Sequence, residues 1–374
     1  ELLERPDAGL DDSFTSLDGD SLSYVEVSLR LEEVLGRLPA GWPTMSIRQL
    51  ALENEPSAAP ARRPPARVET SLLVRAVAIV LVTATHANLF GVQGGAHLLL
   101  AMLGFNLARF QLSNANPSAR ARGLLRTAAA IAVPAMLWIG GVALLTGMYQ
   151  PTTVLLLNDL LGGERWTVQW QYWFLEVAVW SILLLAAAAA VPKLTGLDQR
   201  HPYAVPAAVF AGTMALRLAL TGIEAGATER YSLAVTAWLV ALGWVIARST
   251  VLRTRALTSL LIAVAVPGFF GDPLREAVVA VGLLLVLWLP VVPTSRLLLP
   301  LVRVIAGASL FVYLVHWQVY PWLEDDFPLL ATLASFAAGI AVWRLHRLAK
   351  AGLTKLAARR AVRARLHNER HAGE

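Results

Sequence analysis

The stretch SLLVRAVAIVLVTATHANLF, residues 71–90, is an apolar run long enough to cross a bilayer, and it carries two ionisable side chains, Arg75 and His86. Eleven helical residues amount to three turns plus about 20°, so both lie on one face, about 16 Å apart along the axis. Ionisable groups inside a spanning helix are costly to bury, which makes each a functional-site hypothesis. Arg75 also has a plainer reading, an interfacial anchor that snorkels to headgroups. His86 lies too deep in the run for that reading.

Nine further apolar stretches follow this one, and the candidate spans are roughly 71–90, 94–112, 126–147, 171–191, 203–221, 231–248, 256–271, 274–292, 298–320 and 327–346. TTVLLLNDLL, residues 152–161, is too short to span and is expected at the membrane surface. Of 374 residues, 56% are hydrophobic and 16% charged, with mean hydropathy +0.56. A soluble chain would carry nearer a quarter charged residues. The net charge of +6 does not signal nucleic acid, because the basic residues sit between apolar runs, the pattern of cytoplasmic loops. There is no cysteine, so disulfides, thiolate metal sites and cysteine nucleophiles are excluded.

Loop charge gives an orientation. With the N-terminal side cytoplasmic, inside loops hold Arg120, Arg122 and Arg126, then Lys193 and Arg200, Arg248, Arg253 and Arg255, and Arg296 and Arg303. Outside loops hold Asp159 and Glu164, Glu224 and Glu229, Asp272 and Glu276, and Glu324, Asp325 and Asp326. This positive-inside alternation across ten spans puts both termini in the cytoplasm of a bacterial-type inner membrane. The expected fold is all-α: a polytopic bundle of about ten transmembrane helices preceded by a small helical domain. Residues 1–55 form the head, 56–70 a Pro/Ala/Arg linker, 71–348 the membrane part and 349–374 a basic tail. The tail reads as an amphipathic surface helix held by membrane lipid.

In the head, Phe14-Thr15-Ser16-Leu17-Asp18-Gly19-Asp20-Ser21-Leu22 precedes a stretch with Leu22, Val25 and Leu29 at helical spacing. Ser21 opens that helix and could be an ordinary N-cap. The run Gly19-Asp20-Ser21-Leu22, with Met45-Ser46-Ile47-Arg48-Gln49-Leu50 later, resembles the phosphopantetheine-carrier family. The resemblance implies a phosphopantetheine arm on Ser21, attached by a phosphopantetheinyl transferase and carrying an acyl thioester. A helix N-terminus suits the phosphodiester of such an arm. Only twenty residues precede Ser21, so the carrier is expected to be truncated at its N-terminus, with an upstream adenylating domain to load it.

Arg75 and His86, Gly95-Ala96-His97-Leu98-Leu99, Arg122-Gly123-Leu124-Leu125-Arg126, Tyr172-Trp173-Phe174-Leu175-Glu176 and Ser309-Leu310-Phe311-Val312-Tyr313-Leu314-Val315-His316-Trp317 occur in that order. Together they resemble the acyltransferase-3 family of integral-membrane O-acyltransferases over residues 70–346. The resemblance implies transfer of an acyl group from an acyl-carrier or acyl-CoA thioester to a hydroxyl of an acceptor, whether glycan, lipid or small molecule.

Depth alone puts His86, His97, Glu176 and His316 toward the outer side, where four spans bring four ionisable groups into one layer. Each could be a polar bridge between helices. O-acyl transfer needs a base and stabilisation of an oxyanion. His86 is expected as the base, helped by Glu176, with His316 polarising the carbonyl or positioning the acceptor. His97 and Tyr313 are candidates for the acceptor pocket. Arg75, with Arg122 and Arg126, would hold donor phosphate, although Arg122 and Arg126 also read as positive-inside anchors. No metal is expected, since the three histidines of this layer lack ligand spacing of the His-x-x-x-His kind. The rival reading is a transporter or flippase with a carrier-like regulatory head, its polar layer a binding site without chemistry.

Overall fold

A computed structural model of the chain describes residues 8–17, 19, 24, 27–28, 30–31, 34–35, 39, 41–52, 67–162 and 167–371, with side chains as far as residue 350. Ser21 and residues 53–66 lie outside the described residues. Ten helices of fourteen or more residues follow Glu69. They are α1 (Thr70–His86), α2 (Gly95–Phe110), α3 (Pro117–Thr146), α4 (Trp173–Ala189), α5 (Ala204–Thr221), α6 (Leu233–Arg248), α7 (Leu252–Ala265), α8 (Pro273–Trp288), α9 (Leu298–Val315) and α10 (Pro328–His371). Each falls on one of the ten apolar stretches.

Among the described residues, four segments are long and apolar enough to cross a membrane: Pro117–Thr146, Ala204–Thr221, Leu298–Trp322 and Pro328–Lys350. A fifth arises if α4 and the Pro192–Arg200 helix, bent by 94°, count as one crossing. Helices α1, α2 and α6 are apolar but shorter.

Helix ends follow local chemistry. In α3 the basic stretch holding Arg120, Arg122 and Arg126 is already helical, because Asn116 caps it by accepting the Ala119 N–H at 3.1 Å and Pro117 occupies the first position. Residues 152–161, too short to span, form two single turns, Pro151–Val154 and Asn158–Leu161. α10 runs without a break through residue 349 into the basic tail.

Two of the bundle's helix seams position the residues singled out in sequence. α2 lies backbone to backbone on α6: a Cβ on Gly104 would come 1.8 Å from the Val240 carbonyl oxygen, and one on Gly243 1.8 Å from that of Ala101. In lipid, close approach through small residues replaces hydrophobic attraction as the force between helices. The second seam joins α1 to α9, with Ile79, Val82 and Val312 buried beside it. At one end of the bundle the strand Arg67–Glu69 pairs antiparallel with Val291–Pro293. This anchors the start of α1 and fixes Glu69.

The head packs its own N-terminal turn on the segment after Trp42. Arg48 N–H donates to the Leu10 carbonyl at 2.8 Å and Ile47 N–H to that of Asp12 at 2.9 Å. Phe14, Tyr24 and Trp42 form its aromatic core, and Phe110 of α2 completes that cluster.

Candidate active site

The seam between α1 and α9 carries polar pairs at two levels. At the end near the head, Arg75 Nε donates to Ser309 Oγ at 2.8 Å. Eleven residues on, at the far end, His86 Nδ1 lies 2.9 Å from His316 Nε2 and the rings stack at 5.1 Å. His86 closes α1, and His316 opens the 3-10 turn that ends α9, so two helix ends present two imidazoles to each other.

The backbone fixes the protons of this pair. His316 Nδ1 lies 2.7 Å from the Tyr313 carbonyl oxygen and 3.2 Å from that of Val312, so it must carry a hydrogen and donate. In a neutral ring Nε2 is then an acceptor, and His86 Nδ1–H donates to it. His86 Nε2 then carries the lone pair and makes no hydrogen bond among the described residues. Trp317 and Tyr320 flank that ring at 4.4 and 6.0 Å between centroids. The Trp317 indole N–H is buried and has no acceptor among the described residues. A hydrogen-bonded set lies alongside: Gln318 accepts from Trp138 Nε1 at 2.9 Å and donates to Tyr149 and Tyr172 at 3.0 and 3.1 Å.

The remaining sequence candidates fall at separate places. Glu176 Oε1 accepts the Asp159 N–H at 2.6 Å, and Asp159 Oδ2 in turn accepts the Leu233 N–H at 2.7 Å. Glu176 therefore ties the Asn158–Leu161 turn to α4 and α6 and makes no bond to His86. His97 Nε2–H donates to the Arg230 carbonyl at 2.9 Å, and its Nδ1 accepts from Arg275 at 3.2 Å. It is enclosed by Trp173 and Phe270 and bridges helices. The Tyr313 hydroxyl donates to the Gln171 carbonyl at 3.0 Å, while its own carbonyl orients His316.

At the head end, a small cleft is lined by Tyr24, Glu69, Ser71, Leu72, Arg75, Asn106 and Phe110. Arg122 and Arg126 are not among these residues and lie on the exposed face of α3. The neighbouring Arg120 is the buried one, 2.7 Å from Asp198, which Arg248 approaches at 3.7 Å. That cluster ties α3, α6 and the bent segment after α4. Arg217, with no role readable in sequence, donates to the carbonyls of Ala265 and Ile223 and lies 4.4 Å over the Phe269 ring.

Sequence reading missed Arg109, Trp317 and Gln318. Arg109 stands on the last turn of α2 and holds both Glu69 oxygens, at 2.9 and 3.2 Å. Its partner is 40 residues away, so only a basic helix end was visible. Trp317 ends the Ser309–Trp317 stretch, and only the fold shows that its N–H has no acceptor among the described residues.

Comparison with curated proteins and with solved structures returned no match. The family model described as an acyltransferase domain matches residues 73–343, which takes in Arg75, His86, His97, Glu176 and His316. Apolar helices across the same residues make this an integral membrane protein, and the chain belongs to the acyltransferase-3 family, whose members are O-acyltransferases.

Proposed function

We propose that the protein transfers an acyl group from a thioester carried on its own N-terminal head to an acceptor hydroxyl at the His86 end of the bundle. The observation carrying this reading is the His86–His316 pair, in which His86 Nε2 carries the lone pair. His86 Nε2 takes the hydroxyl proton as the acceptor oxygen attacks the thioester carbonyl. The C–S bond then breaks, and the leaving thiolate recovers that proton from the imidazolium. His316 holds His86 in the reactive tautomer and accepts its Nδ1–H. This resembles the way a third group orients the base in hydrolytic triads.

The buried Trp317 N–H, a donor without an acceptor among the described residues, lies beside the base and is suited to the oxyanion of the tetrahedral intermediate. Glu176 acts only through the turn that it fixes. Arg75, in the cleft at the opposite end, suits the donor's phosphate by its forked geometry. On this reading the acyl group travels about 16 Å along α1 and is passed across the membrane, through ten spans with both termini cytoplasmic.

For the covalent arm, the described residues on either side of Ser21 fit the role. Gly19 and Tyr24 both touch the membrane part, and Tyr24 lines the same cleft as Arg75. Bound there, the arm supplies a thioester, and the chain supplies anchorage, the phosphate clamp and the base. A phosphopantetheinyl transferase with CoA should add the arm to the wild-type head, seen by intact mass, and not to Ser21→Ala. With the loaded protein in membranes, His86→Ala should stop product formation while leaving the thioester on the head. Product from a folded, loaded His86→Ala protein would defeat the catalytic assignment.

A further inference from the structure

The head meets the membrane part through a compact, chemically mixed contact at the C-terminal end of α2. Phe110 lies 5.6 Å from Phe14 and 5.1 Å from Tyr24 between ring centroids, and Tyr24 stacks on Trp42 at 5.1 Å and 20°. Phe110 is 3% exposed, so the head covers an aromatic that α2 would otherwise present at its end. Arg109 grips Glu69 with two bonds and lies 5.7 Å from the Tyr24 ring and 5.3 Å from that of Phe110. Gln111 donates to the Gly19 carbonyl at 3.5 Å. Burial, and next the charge of Glu69, push the Tyr24 phenol well above its ordinary range, so it stays a neutral donor to that carboxylate. Aromatic anchors with a bidentate arginine at the centre are the usual composition of a specific interface.

We propose that the end of α2 is a docking seat for the chain's own N-terminal head, with Phe110 as the socket and the Arg109–Glu69 pair of the membrane part as the polar ledge on which Tyr24 of the head rests. The docked head forms one wall of the cleft at Arg75. The cleft is thus complete only when the head is seated, since Tyr24 comes from the head while Ser71, Arg75 and Asn106 come from α1 and α2. Gly19 and Tyr24, which make the contact, stand two residues before and three after Ser21 in sequence. That the donor is admitted from the head rather than from solution rests on the carrier reading of Ser21; the seat itself does not.

The chain has no cysteine, which allows a clean test in the full-length protein in membranes. A cysteine pair Tyr24→Cys and Phe110→Cys should join in high yield with a short bis-maleimide, read by peptide mass. Tyr24→Cys with Leu145→Cys, an 88% exposed position on α3, should not. Separately, Asn106→Cys should react slowly with a soluble maleimide, and at least ten-fold faster once Tyr24→Ala removes the wall. Equal cross-linking of the two pairs, or an unchanged Asn106→Cys rate, overturns the seat. Intact mass after treatment with the transferase and CoA separates the two ideas. Cross-linking without an arm leaves the seat standing and ends the carrier reading, whereas an arm without cross-linking does the reverse.

Discussion

At the scale of single residues, the proposed mechanism makes the His86–His316 pair act as one unit, and mutant kinetics should show it. His86→Ala removes the proton acceptor, and loss of a general base typically costs about 10²–10⁴ in rate. His316→Ala removes what fixes the tautomer and should cost about as much. The double variant should then be little worse than either single, because groups that act together are not additive. Fully multiplicative losses, measured as kcat on loaded protein, would mean that the imidazoles work independently. Arg75→Lys keeps the charge but loses the fork. It should raise the KM for donor several-fold and leave that for acceptor unchanged, and an acceptor effect would remove Arg75 from the donor side. Sequence revealed these residues singly, through the cost of burying each. It could not show that His86 faces His316, 230 residues on, while Glu176 turns to a backbone N–H, because both outcomes depend on how helix ends meet.

At the scale of elements, helix positions were readable because apolar runs and caps are local signals, and each of the ten stretches carries one helix. What pairs with what was not. The α2–α6 seam depends on Gly104 and Gly243 lying at the same level, and neither glycine announces a partner 139 residues away. The seam makes a sharp prediction. Gly243→Ala places a methyl carbon 1.8 Å from the Ala101 carbonyl oxygen, so the helices must separate. Overpacking of this kind costs roughly 1–3 kcal/mol, and detergent-solubilised protein should show a clearly lower Tm. Gly141→Ala on α3 meets nothing within 4 Å and should leave Tm equal or higher, since alanine is the better helix former. A Gly243→Ala protein as stable as its parent would show that α2 and α6 are not in backbone contact.

At the scale of the whole molecule, the contacts sort the chain into two ends, and loop charge gives an expectation for their orientation. His86, His316, the Glu176 turn, the Arg230–Arg275 bridge to His97 and the Asn88–Glu324 bond gather at one end. Glu69 with Arg109, Arg120 with Asp198, and the head gather at the other. Loops at the first end are mainly acidic and those at the second mainly basic, and the positive-inside rule then leads one to expect the head end on the cytoplasmic side. The prediction is a labelling pattern on single cysteines in the cysteine-free chain. Leu160→Cys, Ile223→Cys and Asp325→Cys, all exposed, should react with an impermeant maleimide on intact cells. Leu252→Cys and Leu297→Cys, 73% and 88% exposed at the other end, should react only after permeabilisation. If Leu160→Cys and Leu252→Cys reacted from the same side, an odd number of crossings would be missing between α3 and α7. The donor cleft and the histidine pair would then lose their assignment to opposite faces. The 16 Å between Arg75 and His86 would remain, but it would no longer be a path across a membrane.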